Sequence, residues 1–292
     1  MVITSHGVPE AVVSDAWKSV GEFFDLEESE KEKLSNMSAD YPYGYEKGEV
    51  LAAGKDKEKG KALSTAPDIK ETFTIGPNNP ASGMPAPIMP STPANFEAHY
   101  AAYYAAMEDL ADTLLESFAL GLDLPEDWFK SKTDHHLSAL RSLNYPDQAG
   151  MTPEPGQLRA GAHTDYGSLT ILKSGGPGLQ VAKDVDGEPS WVNVPHVPSG
   201  FVINLGDLMR RWTNDRWSST LHRVVNPPQD GRNHRRQSIA FFHNINGDEV
   251  VKTIPSCLDN GESKYEPIVA KDFLMMKHLA SVKGVIEEKE EL

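Results

Sequence analysis

Hydrophobic and polar positions follow two rhythms along this 292-residue chain. In residues 9–35, Val12, Val13, Trp17, Val20, Phe23 and Phe24 recur at the spacing of one helix face, and the tail LEESEKEKL is charged and solvated. Residues 94–122 repeat that rhythm more strongly. Phe96, Tyr100, Tyr103, Tyr104, Met107, Leu110, Leu114 and Phe118 form a broad apolar face, read as core rather than as a cofactor box. Between them, residues 36–95 are rich in Gly, Pro, Lys and Tyr and predict loops around a short strand, Lys70–Ile75. The stretch GEVLAAGKDKEKGKALSTAPD within them reads as a candidate lid loop. From about residue 137 the rhythm shortens. LSALRSLNY, LRAGAHTDYGSLTIL, GLQVA, SWVNV, GFVINLGDLMRRW, STLHRVVN, RRQSIAFFHN and VVKTI are strand-like runs separated by Gly, Pro, Asn and Asp. Residues 1–8 predict a strand ending at His6-Gly7, and residues 265–283 a helix that packs back on the sheet.

Many short strands with regular turn signals predict a mainly β fold with flanking helices: a sandwich, barrel or jelly roll. No repeat of 20–50 residues interrupts it. The expectation is one domain over 1–292, with a helical N-terminal part with loops (1–130), a β core (137–255) and a C-terminal helix (265–283).

The net charge of −15 argues against nucleic acid and against an electrostatic hold on an anionic membrane. There is no run of 18 apolar residues to span a bilayer. The single cysteine, Cys257, excludes an internal disulfide framework and a multi-cysteine metal site, and points to a reducing compartment. The opening MVITSHGVPE lacks the basic-then-apolar order of a signal peptide. A cytoplasmic monomer is expected.

Residues 161–170 read GAHTDYGSLT. On a strand, His163 and Asp165 point to one side and Thr164 to the other. Taken alone, the pair also fits a strand end with a satisfied histidine and an exposed aspartate. His222, in STLHRVV, adds a second imidazole on a strand. Two histidines and a carboxylate are the ligand set of non-haem Fe(II) sites, which leave positions open for co-substrate and O2. Zinc takes the same set and would suit hydrolysis. Arg236 and Ser238 in RRQSIAFF lie 14 and 16 residues after His222, again two apart. A guanidinium and a hydroxyl on one strand face suit a carboxylate, which a 2-oxoacid with a distal carboxylate carries and zinc hydrolases do not generally need.

These segments together resemble the Fe(II)/2-oxoglutarate-dependent oxygenases of the isopenicillin-N-synthase-like branch. The resemblance covers nearly the whole chain: ITSHGVPE with FFDLEESEKEKL, LRSLNYP, AGAHTDYGSLTIL, GLQV, VINLGDLMRRWTND, STLHRVVNPP and RRQSIAFF. Within the branch, APDIKETFTIG, PGQLRAGAHTDYGSLTIL and RRQSIAFF look like thymine-hydroxylase-like members. The resemblance implies a double-stranded β-helix, a cupin-like jelly roll with flanking helices. It implies Fe(II) at His163, Asp165 and His222, and 2-oxoglutarate anchored by Arg236 and Ser238 with Asn144 and Tyr145 nearby. It places Tyr166 and Phe242 beside a flat substrate and Arg141 in contact with it. Arg210 and Arg211 hint with Arg141 at an anionic or carbonyl-bearing substrate, such as a pyrimidine or an amino-acid-like metabolite, although surface charge explains at least one of them.

The activity implied is O2-dependent oxidation of a small molecule with release of succinate and CO2: hydroxylation, desaturation or ring closure. Oxidative cyclisation of an amino-acid-like natural-product precursor is the alternative to pyrimidine hydroxylation. A zinc hydrolase and a non-catalytic jelly-roll binding protein stand further back. Family members usually carry a strand and a helix before the ITSHGV segment, so this chain is expected to lack them and to leave one strand without a neighbour.

Overall fold

The computed structural model describes residues 1–35, 43–49, 51, 66–185 and 188–283. Strand β1 (Val2–Ile3) leads into helix α1 (Glu10–Phe24), followed by the short helix α2 (Glu28–Glu32). Strands β2 (Gly44–Lys47) and β3 (Glu71–Ile75) precede the long helix α3 (Phe96–Gly121). The strand series then runs β4 (Ala139–Tyr145), β5 (Ala160–His163), β6 (Leu169–Ser174), β7 (Leu179–Val185), β8 (Glu188–Asn193) and β9 (Phe201–Leu205). Helix α4 (Asp207–Trp212), β10 (His222–Val224), β11 (Arg236–His243), the pair β12 (Val250–Val251) and β13 (Ile268–Val269), and helix α5 (Ala270–Lys283) complete the order.

Two antiparallel sheets face each other, one ordered β1-β9-β6-β11-β4-β3-β2 and the other β5-β10-β7-β8. Neighbours in the sheets are mostly far apart in sequence, as a jelly roll requires. The larger sheet is buried on both sides. Its outer face, with Phe73, Leu140, Ile171, Ile203, Ile239 and Phe241, packs on Val20, Phe23, Tyr100, Tyr103 and Met107 of α1 and α3 to form the main core. Its inner face joins a smaller cluster around Tyr145, Ala160, Leu179 and Val224. The site lies in this second layer, between the sheets.

Three expectations need correction. The helix expected over 9–35 is two helices. The apolar face of α1 ends at Phe24, and Lys31 turns back to donate to the Phe24 carbonyl (3.1 Å) and to Glu71 Oε2 (2.7 Å). The loop expected over 36–95 contains β2, whose pairing with β3 carries Tyr45 and Glu46 into the structure. The run GFVINLGDLMRRW is strand only to Leu205; its second half is α4, with Leu208, Met209 and Trp212 buried at helical spacing. Gly206 makes the switch possible, because a Cβ there would lie 2.3 Å from the Gly167 carbonyl oxygen. The candidate lid loop falls largely outside the described residues. Among the described residues, β1 pairs with β9 at the edge of the larger sheet.

Candidate active site

Strand alternation decides which side chains reach the space between the sheets. On β4, Leu140, Ser142 and Asn144 face the helices; Tyr100 Oη, for example, lies 2.9 Å from Ser142 Oγ. Arg141, Leu143 and Tyr145 face inward. On β11, Ile239 and Phe241 enter the outer core, so Arg236, Ser238, Ala240 and Phe242 line the inner face. Pairing sets them in rows: Arg236 beside Tyr145, Ser238 between Leu143 and Ser174, Ala240 between Arg141 and Leu172, Phe242 beside Thr170.

The opposite wall carries the imidazoles. His163 and His222 are cross-strand partners on β5 and β10, with ring centroids 4.3 Å apart. Asp165 lies just past the end of β5, not on it, and reaches the same point because the chain turns there. Its Oδ1 is 3.6 Å from His222 Nε2 and 3.9 Å from His163 Nε2. One ligand atom from each residue fits within 4.8 Å of the others, the one such group of three among the described residues.

Hydrogen bonds settle how each ligand presents itself. His163 Nδ1 lies 2.8 Å from the Gly161 carbonyl, and His222 Nδ1 lies 2.9 Å from the Thr220 carbonyl. A carbonyl only accepts, so each Nδ1 carries the proton and each Nε2 offers its lone pair inward. Thr170 Oγ1 and Asn204 Nδ2 both donate to Asp165 Oδ2 at 2.6 Å, leaving Oδ1 for the centre. Burial and the neighbouring His222 push His163 down to about 4, so it is neutral at pH 7. Burial opposes ionisation of Asp165, but the two imidazoles and its two donors outweigh that and hold it below the usual carboxylate range. Two inward-facing Nε2 lone pairs and one carboxylate oxygen suit a divalent cation with further positions open.

On the same inner face, Arg236 is 4% exposed. Its Nη2 donates to Ser174 Oγ (2.7 Å), its Nε to the Gly176 carbonyl (3.3 Å), and its guanidinium lies 4.9 Å over the Tyr145 ring. Its Nη1 is buried with no hydrogen-bond partner among the described residues. A buried cationic N–H left unpaired is costly, and a carboxylate beside Ser238 would satisfy it.

Arg141 has a different setting. Its Nε donates to Thr74 Oγ1 (2.9 Å) and its Nη1 to Glu49 Oε1 (3.2 Å), with Glu46 4.0 Å from Nη2. Tyr166 lies near its guanidinium. Behind it, Lys70 Nζ sits between Glu49 (2.8 Å) and Asp68 (2.7 Å). Asp68 Oδ1 in turn accepts from the Gly161 N–H (3.0 Å), next to the carbonyl that holds His163.

Two sequence expectations are displaced. Asn144 faces away from the site: its Nδ2 donates to Glu71 (2.7 Å), and Arg235 Nε donates to its Oδ1 (2.8 Å). Tyr145 points inward, so its neighbour on the strand must point out. Arg210 is exposed on α4 and bonded to Asp215 (2.7 Å), and Arg211 donates to the Glu266 carbonyl (2.7 Å). Both belong to the surface helix rather than to a strand lining the cavity. Asn204, Thr170, Glu49, Lys70 and Asp68 were not read from the sequence. Asn204 had a signal, as a lone amide inside the apolar run FVINLG; Glu49 had none.

The 2OG-Fe(II) oxygenase superfamily matches residues 136–245, and the N-terminal region described as "non-haem dioxygenase in morphine synthesis" matches residues 1–96. The 2-oxoglutarate-Fe(II) type oxidoreductase hxnY of Emericella nidulans is 33% identical over 290 residues, covering 93% of this chain and 78% of that protein. The chain belongs to the 2OG-Fe(II) oxygenases. A homoarginine-6-hydroxylase of Oryza sativa is 29% identical, covering 96% of this chain and 84% of that protein. The full-length thymine-7-hydroxylase of Neurospora crassa, in complex with alpha-KG and thymine, superposes with a TM-score of 0.82 at 29% identity, covering 96% of this chain and 86% of that one. This oxygenase is a 2-oxoglutarate-dependent dioxygenase of small molecules, with a jelly-roll fold and with Fe(II), 2-oxoglutarate and O2 as its cofactor and co-substrates.

Proposed function

We propose that His163, Asp165 and His222 hold the iron, that Arg236 and Ser238 receive the far carboxylate of 2-oxoglutarate against Tyr145, and that substrate sits between Tyr166, Phe242 and Arg141. When bound, iron and 2-oxoglutarate supply an O2-driven oxidation that releases succinate and CO2. The chain's residues position and exclude water. The Gly161 and Thr220 carbonyls fix the imidazoles, Asn204 and Thr170 fix the carboxylate, and no side chain is required as a general base.

The observation that carries this reading is the unpaired buried Nη1 of Arg236, on the inner face of the sheet that also carries Ser238. It also speaks against a zinc hydrolase, which has no use for such an anchor. Because Glu49 already neutralises Arg141, the substrate recognised there carries a carbonyl or other neutral polar group rather than an anion. A pyrimidine fits this chemistry, as does an uncharged amide of an amino-acid-like precursor, and hydroxylation is the simplest outcome. The whole chain is read as one catalytic domain, a cytoplasmic monomer that engages neither nucleic acid nor membrane. The charge of −15 and the single cysteine support this, and among the described residues no helix is long and apolar enough to cross a membrane. The test is succinate release across a panel of pyrimidines, amides and carboxylates. The neutral carbonyl compounds should stimulate it. Stimulation by carboxylates alone would refute the substrate assignment.

A further inference from the structure

We propose that Arg159 is a positioning residue for 2-oxoglutarate: a second buried guanidinium that fixes Tyr145 and raises the positive potential at the Arg236 anchor. It lies immediately before β5 and is 3% exposed. Its Nε donates to Gln148 Oε1 (3.0 Å) and its Nη2 to the carbonyls of Pro146 (3.1 Å) and His234. These three acceptors follow β4 or precede β11. One side chain thus ties together the strands that carry Tyr145, His163 and Arg236.

All three acceptors are neutral. Among the described residues, no ion pair sets a carboxylate against either Arg159 or Arg236; Asp147, the acid that offers Arg159 some relief, accepts instead from the His234 and Ala149 N–H groups. The two guanidiniums lie near one ring, Arg159 at 5.9 Å and Arg236 at 4.9 Å from the Tyr145 centroid. Burial and the charge of Arg236 both act against protonation of Arg159. Two buried like charges with no carboxylate in an ion pair among the described residues repel each other, and a ligand bringing a carboxylate offsets that repulsion. The carboxylate lacking among the side chains is the one that the co-substrate brings.

A purely structural staple is the competing role, and ligand charge separates the two. Anaerobic Fe(II)-loaded protein is titrated with 2-oxoglutarate and with 2-oxopentanoate, which keeps the chelating end and lacks the far carboxylate. Arg159→Gln should weaken 2-oxoglutarate binding about ten-fold and leave 2-oxopentanoate within about two-fold. Arg159→Lys, which keeps the charge and loses the fork, should keep the preference for 2-oxoglutarate within about three-fold of wild type. Equal losses for both ligands in Arg159→Gln, or a lost preference in Arg159→Lys, would overturn the proposal. Should Arg159→Gln not fold, the lysine variant decides alone. A wild-type protein with no preference between the ligands would overturn the Arg236 anchor and this role together. Failure confined to the Arg159 variants leaves the anchor standing.

Discussion

The two ends of the inner face of the larger sheet both carry buried cations, but among the described residues only one end supplies the counter-charge. Around Arg141, Lys70 meets Glu49 and Asp68, and Arg141 meets Glu49, at 2.7–3.2 Å. Around Arg236, the partners are one hydroxyl, one carbonyl and a tyrosine ring. The difference teaches what each end awaits. On the proposed reading, the end left positive receives an anion that arrives with the ligand, as 2-oxoglutarate is. The balanced end offers directed hydrogen bonds to something neutral. The candidate metal ligands sit on the opposite wall, with Asp165 tied to Thr170 and Asn204 of the larger sheet; on the proposed reading, iron serves an end selective for charge and an end selective for shape.

The largest break in this arrangement is removal of a proposed metal ligand. His163→Ala or His222→Ala should abolish iron retention and succinate formation together, because two protein ligands hold a divalent ion far less firmly than three. His135→Ala serves as the control: that imidazole is bonded to Asp134 and Asp248, outside the metal group, and iron content by atomic absorption should not change. Full activity in His222→Ala would refute the triad.

Next in size is the positive end. A charge-assisted contact contributes about 1.5–3 kcal/mol, so Arg236→Ala should weaken 2-oxoglutarate about ten- to a hundred-fold while iron content holds. An unchanged dependence on 2-oxoglutarate would remove the contrast between the ends.

The balanced end gives a smaller effect of another kind. Glu49→Gln leaves Arg141 and Lys70 short of one countercharge and should cost about 3 kcal/mol of stability, read as a lower Tm. Affinity for 2-oxoglutarate should stay within about two-fold, while anionic substrate analogues bind better than to wild type. The pH dependence has a definite sign. Burial alone would raise the Glu49 carboxyl, but Lys70 and Arg141 outweigh burial and hold it well below its ordinary 4.5. A depressed carboxyl adds stability above 4.5 that is lost as pH falls toward its folded value. The Tm gap between wild type and Glu49→Gln should be widest at neutral pH and should narrow below pH 4.5. A gap that widens on acidification would refute the pairing.

What the sequence made legible follows from periodicity. Arg236 and Ser238 share a face because they sit two apart within one strand, and His163 and Asp165 converge although only His163 lies on the strand. Phe96 through Met107 form the expected core. The same rule, applied one residue further, would have turned Asn144 outward once Tyr145 was placed inward. Arg210 was misread because an apolar run through Gly206 looks continuous, and the change from strand to helix depends on a close contact with Gly167. Glu49 and Arg159 were illegible for a different reason. Each acts through partners distant in sequence, Glu49 on Arg141 and Arg159 on His234, and no local spacing encodes such a meeting.

The smallest expected effect tests the balanced end most sharply, because it compares two adjacent phenylalanines. Phe241 is fully buried in the core between the larger sheet and α3, with its ring 5.1 Å from Tyr104. Phe242 points the other way and is half-buried, beside Thr170 in the row that leads to Asp165. Phe241→Ala should therefore cost about 3–5 kcal/mol, with every activity falling alongside Tm. Phe242→Ala removes less buried surface and should cost about 1 kcal/mol. Its main effect should be on coupling. Substrate-stimulated succinate release should fall several-fold, to roughly the level that loss of about 1 kcal/mol of substrate contact implies. Slow substrate-free turnover of 2-oxoglutarate should persist, since it needs only the iron ligands and the Arg236 anchor. Measuring coupled turnover, uncoupled turnover and Tm on one preparation of each variant separates the roles. If Phe242→Ala lost all three in proportion, as Phe241→Ala should, Phe242 would be a core residue and the substrate would have to be sought away from that wall.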